Sequence, residues 1–182
     1  MASVISHAVA ALAIGAAFYK PGFPKRAWVL GATCSMLPDL DVIGFHFDVH
    51  YGDFWGHRGF THSLLFAAVL ALSLTAIAFR ANNPYDRRIL WLYFILATAS
   101  HGLLDAMTNG GLGVAFFSPF DARRYFLPWR PILVSPIGVT RFFSFRGLAI
   151  LRSEIYWAWL PAMLLASSAF LLRRVHTTQS EK

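Results

Sequence analysis

Apolar residues occur in long runs along the chain, and short polar turns separate these runs. A helix of about 20 apolar residues crosses the hydrocarbon core of a bilayer, which is about 30 Å thick. The second run is short, because the polar sequence Pro38-Asp39-Leu40-Asp41 follows it. The runs lie at residues 1–19, 27–37, 63–79, 89–104 and 155–172. This pattern predicts an all-α, polytopic membrane helix bundle of about four or five spans.

The segment between the fourth and fifth runs has a different character. Residues 105–154 are rich in glycine, proline, arginine and aromatic residues. Tyr125, Trp129 and several phenylalanines make this segment too apolar for a free linker, so we predict a long ordered loop between the last two spans. Residues 1–176 are then expected to form a single integral-membrane domain, and residues 177–182 a polar C-terminal tail.

Composition supports a membrane protein. Apolar residues make up 57% of the chain and charged residues only 14%, whereas soluble domains have about 25% charged residues. This balance excludes intrinsic disorder, and the single cysteine, Cys34, excludes a thiolate-rich metal site. The net charge of +7 comes from basic residues at the ends of apolar runs, so we expect no nucleic-acid partner.

The basic residues also predict an orientation. Short cytoplasmic loops of membrane proteins are enriched in lysine and arginine. The turns at 20–26 and 80–88, together with residues 173–182, hold nine of the sixteen basic residues. We therefore predict a multi-pass protein with these turns in the cytoplasm and with residues 38–62 and 105–154 facing outward, to the periplasm in a double-membrane bacterium.

Histidine and aspartate residues gather at one face of the predicted bundle. Ionisable residues in or beside membrane spans are costly, and they therefore point to function. The order of the spans brings seven of them to the same face: His7, Asp39, Asp41, His57, His62, His101 and Asp105. Each one alone could be a packed, hydrogen-bonded residue, but their coincidence at one face favours a metal site.

The spacing of these residues refines the metal hypothesis. His101 and Asp105 are four residues apart and so share one face of a helix. Asp39 and Asp41 are expected to diverge, so that each serves a different ion or one of them orients a ligand. Thr61 is the predicted N-cap of the third span.

The ligand types favour a particular metal and chemistry. Imidazole and carboxylate without thiolate suit Zn²⁺, and also Mn²⁺ or iron. Two or three such ions activate water and hold the oxygens of a phosphoester. His46 and His50 lie in a loop and are expected to be solvated rather than to bind metal.

Arginine and aromatic residues form a second group. Guanidinium groups bind phosphate through paired hydrogen bonds, so Arg58, Arg124, Trp129 and Arg130 are candidate substrate-binding residues. The alternative is that these residues anchor the chain to anionic lipid. Glu154 starts the last span and is either an additional ligand or base, or an ordinary acid at a helix N-terminus. The whole group comprises Arg123, Arg124, Tyr125, Trp129, Arg130, Arg141, Arg146 and Arg152.

Several motifs resemble a known family of bacterial inner-membrane proteins, the YdjM-like membrane-bound metal-dependent hydrolases. They are Ser6-His7, Pro38-Asp39-Leu40-Asp41, His57-Arg58-Gly59-Phe60-Thr61-His62-Ser63, and His101-Gly102-Leu103-Leu104-Asp105. That family is distantly similar to zinc-dependent phospholipases C and fungal single-strand nucleases, which share a His-x-x-x-Asp pair. The resemblance implies a helical, metal-dependent phosphoesterase with His101 and Asp105 among its ligands.

The sequence therefore predicts a membrane-embedded hydrolase that cleaves a phosphoester of a phospholipid or lipid-linked substrate with metal-activated water. Asp39 or Asp41 would orient or deprotonate the water, and Arg58 would stabilise charge on the phosphoryl oxygens. A metal-dependent lipid deacylase or amidase, and a non-enzymatic membrane protein that transports metal ions or protons, are the alternatives.

Overall fold

The structure, a computed structural model, describes residues 1–79, 83, 85–137 and 144–180, with side chains for all of these except 176–180. The helices are α1 (Val4–Phe18), α2 (Lys25–Met36), α3 (Leu64–Ala78), α4 (Arg87–Ala106), α5 (Phe145–Glu154) and α6 (Leu160–Ser180). Two 3₁₀ segments span Leu37–Phe47 and Phe60–His62, and a π-helical turn, Ile155–Trp159, joins α5 to α6. Within these residues, strand-like pairing is limited to two isolated bridges. The all-α prediction is confirmed.

Serine side chains cap the helices that begin near the predicted site. The Ser3 hydroxyl accepts a hydrogen bond from Ser6 N at the start of α1, and the Ser63 hydroxyl accepts from Phe66 N at the start of α3. The prediction of Thr61 as the α3 cap is wrong, because its hydroxyl instead donates to Asp41 Oδ2 at 2.8 Å. Serine and threonine are both good N-caps, so residue type alone does not select between these two positions.

Helix α4 lies at the centre of the bundle and contacts α1, α2 and α3. Leu90, Tyr93, Phe94 and Ala97 of α4 are fully buried in the main apolar core. Small residues on the neighbouring helices allow close approach, and the Tyr93 ring lies directly over Gly31 of α2. This packing fixes α4, which carries two of the predicted ligands.

One end of the bundle collects the chain segments with the predicted site residues. The α1–α2 turn is short, and so is the α3–α4 turn, so each pair of helices is antiparallel. The start of α1, the end of α2, the start of α3 and the end of α4 therefore meet at the same end. Residues 37–62, which link α2 to α3, cover this end of the bundle.

Backbone hydrogen bonds order the long segment after α4. Val114 and Tyr125 exchange two N–H···O bonds of 2.9 Å, and Ala115 N donates to Arg58 O at 3.0 Å. Leu64 N donates to Phe116 O at 3.0 Å. These bonds tie the segment to the 37–62 region, so that both enclose the site.

The last helical region begins earlier than the sequence suggests. Helix α5 starts at Phe145, where the Ser144 hydroxyl accepts from Gly147 N at 3.3 Å, whereas hydropathy places the last span at 155–172. Arg146 and Arg152 interrupt the apolar run without ending the helix, because arginine is a good helix former. Hydropathy therefore finds the apolar part of this helix and misses its polar first turns.

Two helical stretches are long and apolar enough to cross a bilayer, Arg87–Ala106 and Phe145–Val175. Helices α1 and α3 are apolar but have 15 residues each, which is short for a span. The predicted four or five spans are not confirmed by helix length. Residues 80–82 and 84 of the predicted cytoplasmic turn lie outside the residues that the structure describes.

Substituting Gly31 tests the central packing. A Cβ at Gly31 would overlap the Tyr93 hydroxyl, and overpacking of this kind costs about 1–3 kcal/mol, more than the gain of about 1 kcal/mol from alanine's helix propensity. We expect Gly31→Ala to lower the thermal unfolding midpoint in detergent. Gly52→Ala is the control, because no atom lies within 4 Å of its added Cβ, and an unchanged midpoint for Gly31→Ala would contradict this packing.

Candidate metal centre

Five side chains from four parts of the chain converge at the covered end of the bundle. We call them the five-residue cluster: His7, Asp39, His62, His101 and Asp105. His101 Nε2 lies 2.9 Å from His62 Nε2 and 3.4 Å from Asp39 Oδ1. His7 Nε2 lies 3.7 Å from Asp105 Oδ1 and 3.9 Å from Asp39 Oδ2. At most 5% of any of these residues is exposed.

The spacing within the cluster suits a cation. One ligand atom from each of Asp39, His62, His101 and Asp105 lies within 4.8 Å of the others, and His7 faces the remaining oxygens of the two aspartates. Zinc–nitrogen and zinc–oxygen bonds of about 2.0–2.2 Å in a tetrahedral site place ligand atoms about 3.4 Å apart. The facing nitrogen and oxygen atoms of the cluster are separated by 2.9 Å to 4.0 Å. The donor set, imidazole nitrogen and carboxylate oxygen, is one that zinc and manganese accept.

Unpaired polar atoms in the cluster point to the same conclusion. Both ring nitrogens of His7 and both carboxylate oxygens of Asp39 are buried and have no hydrogen-bond partner among the described residues. A buried polar atom without a partner costs about 1–3 kcal/mol, and a charged one costs more. A cation bound between these atoms would remove that cost, so the residues fit a metal ion.

The carbonyl of Ser35 sets the tautomer of His101. His101 Nδ1 lies 2.7 Å from Ser35 O, and because a carbonyl can only accept, Nδ1 carries the proton. Nε2 then presents its lone pair to the centre of the cluster, as a metal ligand requires. Sequence reasoning missed Ser35, because a backbone carbonyl leaves no signal in the residue type.

A second group lies beside the cluster and shares His62 with it. Asp41 Oδ1 is 2.7 Å from His57 Nδ1, and Asp41 Oδ2 is 3.2 Å from His62 Nδ1. Asp41 thus contacts two imidazoles, while His57 Nε2 is buried without a hydrogen-bond partner. The three side chains are close enough to hold another cation. The two aspartates of the Asp-Leu-Asp motif therefore serve different groups.

Mutual contacts set the charges of these side chains. Burial alone would lower the pKa of His62, but the nearby carboxylates of Asp39 and Asp41 raise it to about 9. Burial alone would raise the pKa of Asp41, but His57 and His62 hold it at about 2. His101 and His62 likewise hold the pKa of Asp39 well below its usual range, against the effect of burial. Burial lowers the pKa of His57 despite the nearby Asp41.

Arg58 lies under the cluster, fully buried. Its Nε donates to Asp105 Oδ2 at 2.9 Å, and its two terminal nitrogens donate to Gly110 O and the Thr108 hydroxyl. All three guanidinium nitrogens thus bind the protein, and one of them orients a cluster carboxylate. Contact between Arg58 and a substrate phosphate stays a prediction.

The other candidate substrate-binding residues lie further out. Arg124 donates to the carbonyls of Tyr51, Asp53 and His57 and so fixes the loop that carries His57. Arg130 is exposed and lies over the Phe126 ring, and Trp129 is exposed and packs edge-on against Trp157. Arg141 falls in the gap at residues 138–143.

Glu154 and the loop histidines stand apart from both groups. Glu154 is fully buried, but its oxygens accept hydrogen bonds from Ser3 and Ser6. His46 and His50 are exposed. An open cavity of about 800 Å³ lies between Leu133 and α5, and no residue of either His/Asp group lines it.

Comparison with known proteins places this arrangement in a family. A family model described as the YdjM inner membrane protein matches residues 1–177. The chain belongs to the YdjM family of inner membrane proteins. It is also 41% identical over 174 residues to the inner membrane protein YbcI of Escherichia coli (strain K12), an alignment that covers 96% of this chain and 100% of that protein. No solved structure matches the chain.

Membership of the YdjM family confirms the resemblance seen in the motifs. The matched region contains both His/Asp groups and all the helices up to residue 177. The family's description agrees with the apolar helices of this chain, and both are consistent with an inner membrane location.

Metal binding should release a proton from His62. With a pKa of about 9, this imidazole is protonated in the metal-free protein near neutral pH, and a cation must displace the proton. Zinc affinity should therefore rise about tenfold per pH unit between about pH 6.5 and 8.5. Isothermal titration in two buffers of different ionisation enthalpy would count the released protons. His50→Gln should behave as wild type, whereas an affinity independent of pH would contradict the protonated state of His62.

Proposed function

We propose that the chain is a membrane-embedded, metal-dependent hydrolase that cleaves a phosphoester of a phospholipid or lipid-linked substrate. The observation that carries the proposal is the buried convergence of three imidazoles and two carboxylates, in which His7 and Asp39 lack hydrogen-bond partners. Such an arrangement is costly without a cation, and His/carboxylate sites suit hydrolytic metals.

The two groups suggest how two ions would be held. The five-residue cluster would bind one Zn²⁺, with Mn²⁺ as an alternative, and Asp41, His57 and His62 would hold a second ion or orient the imidazoles for the first. Bound divalent cations in such sites polarise a phosphoryl oxygen and acidify water. A third ion would need ligands beyond these two groups.

The surrounding contacts leave Asp39, rather than Asp41, with an oxygen that would be available to orient the attacking water or accept its proton while the other oxygen holds the cation. Both oxygens of Asp41 already accept hydrogen bonds, from His57 and from Thr61. Both oxygens of Asp39 lack hydrogen-bond partners in the described part of the chain. Arg58 would act through Asp105, to which it is bound, and Arg124 through the loop that carries His57.

A lipid substrate is consistent with the surface near the site. The segments that cover the site expose Phe47, Trp55, Phe117, Phe120 and Trp129, and aromatic residues of this kind favour the headgroup layer of a membrane. Arg130, the next residue after Trp129, is also exposed and is the candidate contact for an anionic headgroup. A lipid deacylase or amidase would use the same metal centre, and a substrate screen separates it from a phosphoesterase.

The location of the cluster argues against transport. A path for ions or protons needs polar groups near the middle of the bilayer, whereas the cluster lies at one end of the bundle. The first half of α4 is instead packed into the apolar core, around Leu90, Tyr93 and Phe94.

Metal content tests the proposal. Wild-type protein purified in detergent should retain one zinc or manganese ion per chain, or two if the Asp41 group also binds an ion, measured by mass spectrometry. His101→Ala removes a ligand from the five-residue cluster and should release the ion held there. It should also abolish release of phosphate or headgroup from phospholipids and polyprenyl phosphates.

The matched control is His50→Ala, which removes an exposed histidine outside both groups. It should leave metal content and hydrolysis unchanged. A wild-type protein that neither retains nor takes up zinc or manganese would overturn the proposal. Metal-dependent release of acyl chains instead of phosphate would redirect it to the deacylase.

We also propose that the site faces the periplasm in a multi-pass arrangement, as the basic residues indicate. Gly52 lies in the exposed loop that covers the site, and Arg88 is exposed at the start of α4, at the other end of the bundle. The native Cys34 is buried and should label slowly. A membrane-impermeant maleimide should therefore label Gly52→Cys in intact spheroplasts and Arg88→Cys only after lysis, and the reverse pattern would overturn the orientation.

A further inference from the structure

Glu154 is a fully buried carboxylate that belongs to neither His/Asp group. It lies at the end of α5, yet its partners come from the start of the chain. Its Oε1 accepts from Ser3 N at 2.5 Å, and its Oε2 accepts from the Ser3 hydroxyl at 2.5 Å and from the Ser6 hydroxyl at 2.8 Å. One carboxylate therefore accepts three hydrogen bonds from the first turn of α1 and its N-cap.

The two serines that bond to Glu154 are next in the chain to residues that contact the metal centre. Ala2 precedes Ser3, and its N–H donates to Asp105 Oδ1 at 2.6 Å. His7 follows Ser6 and belongs to the five-residue cluster. A shift of this turn would move both the Ala2 N–H and the His7 ring relative to Asp105.

His7 depends on its helix for its position. Neither of its ring nitrogens has a hydrogen-bond partner among the described residues. The ring stacks on His101 with centroids 3.6 Å apart and planes 16° apart, a contact that permits sliding. The backbone of α1 therefore determines how far His7 Nε2 lies from Asp39 and Asp105.

The electrostatics of α1 explain why a carboxylate occupies this place. The first turn of α1 contains no acidic residue of its own, and the N-terminus of a helix attracts negative charge. Hydrogen bonds from N–H and O–H groups to a carboxylate are roughly twice as strong as neutral ones. Trp159 Nε1 also donates to the Ser6 hydroxyl at 2.8 Å, so the π-helical turn supports the same contact.

We propose that Glu154 is a positioning residue for the metal centre: it fixes the first turn of α1 so that His7 and the Ala2 N–H meet the carboxylates of the cluster. This inference rests on the proposed metal binding. It replaces the interpretation of Glu154 as a ligand with one in which Glu154 acts through Ser3, Ser6 and His7.

Zinc affinity of purified protein, measured by competition with a chelator, tests the proposal. Glu154→Gln keeps the size of the side chain but removes its charge and one acceptor oxygen. It should weaken zinc binding by about 10- to 100-fold, as loss of groups that orient ligands does. Ser153→Ala is the control: it lies in the same turn of α5 and bonds Leu133 N and Ile150 O instead, so it should bind zinc as wild type does.

Two further measurements separate positioning from ligation and from general stability. Glu154→Gln saturated with Co²⁺ should keep the visible spectrum of the wild type, because the ligands are unchanged; a changed spectrum would make Glu154 a ligand. In a His7→Ala background, Glu154→Gln should weaken zinc binding much less than it does in the wild type, because only the route through the Ala2 N–H and Asp105 remains. If the losses of zinc affinity caused by His7→Ala and by Glu154→Gln were fully additive, Glu154 would not act through His7.

Milder variants serve if Glu154→Gln does not fold. Ser6→Ala and Ser3→Ala each remove one hydroxyl donor to Glu154, and each should weaken zinc binding while the metal-free protein stays folded by circular dichroism. Wild-type zinc affinity in all three variants would overturn the positioning role and leave the proposed function standing. A wild-type protein that binds no metal would overturn both.

Discussion

The desolvation of charge at one end of the bundle is the constraint on which the rest of the structure depends. Three imidazoles and two carboxylates lie within 4.0 Å of a neighbour and are almost completely buried. Isolated burial of a single ionised carboxylate is far more costly than the few kcal/mol by which a domain is stable. The group is therefore tolerable only if charges of opposite sign compensate one another, and a bound divalent cation would complete that compensation.

The contacts around the cluster limit its movement. Ser35 O fixes the His101 ring, Asp41 orients His57 and His62, and Arg58 binds Asp105. These partners come from α2, the 37–62 region and α4, so the relative positions of the helices determine the distances in the site. Close packing of Tyr93 over Gly31 is thus connected to the chemistry: it holds α2 against α4, and with it Ser35 against His101.

The sequence predicts the candidate metal ligands better than it predicts the groups that orient them. Helix periodicity places His101 and Asp105 on one face, and the order of the apolar runs brings His7, Asp39 and His62 to the same end, as the structure has them. Ser35 O, Ala2 N and the true α3 cap, Ser63, depend on backbone geometry, which residue types do not encode. Hydropathy also misplaces the start of the last helix, because polar turns of a helix carry no apolar signal. Arg58 and Arg124 illustrate a further limit, since the same guanidinium chemistry that binds phosphate also binds backbone carbonyls and carboxylates.

The degree of burial restricts what the site can act on. A water-soluble substrate would have to displace the 37–62 and 107–135 segments, which are tied to each other by backbone bonds such as Ala115 N to Arg58 O. The headgroup of the proposed lipid substrate would also have to pass these segments, but its acyl chains could stay in the bilayer beside the exposed aromatic side chains. The low exposure of the cluster places it in a low-dielectric surrounding, which strengthens every charge–charge interaction there. The burial that makes the cluster expensive to fold is thus the property that would make a bound cation an effective activator of water.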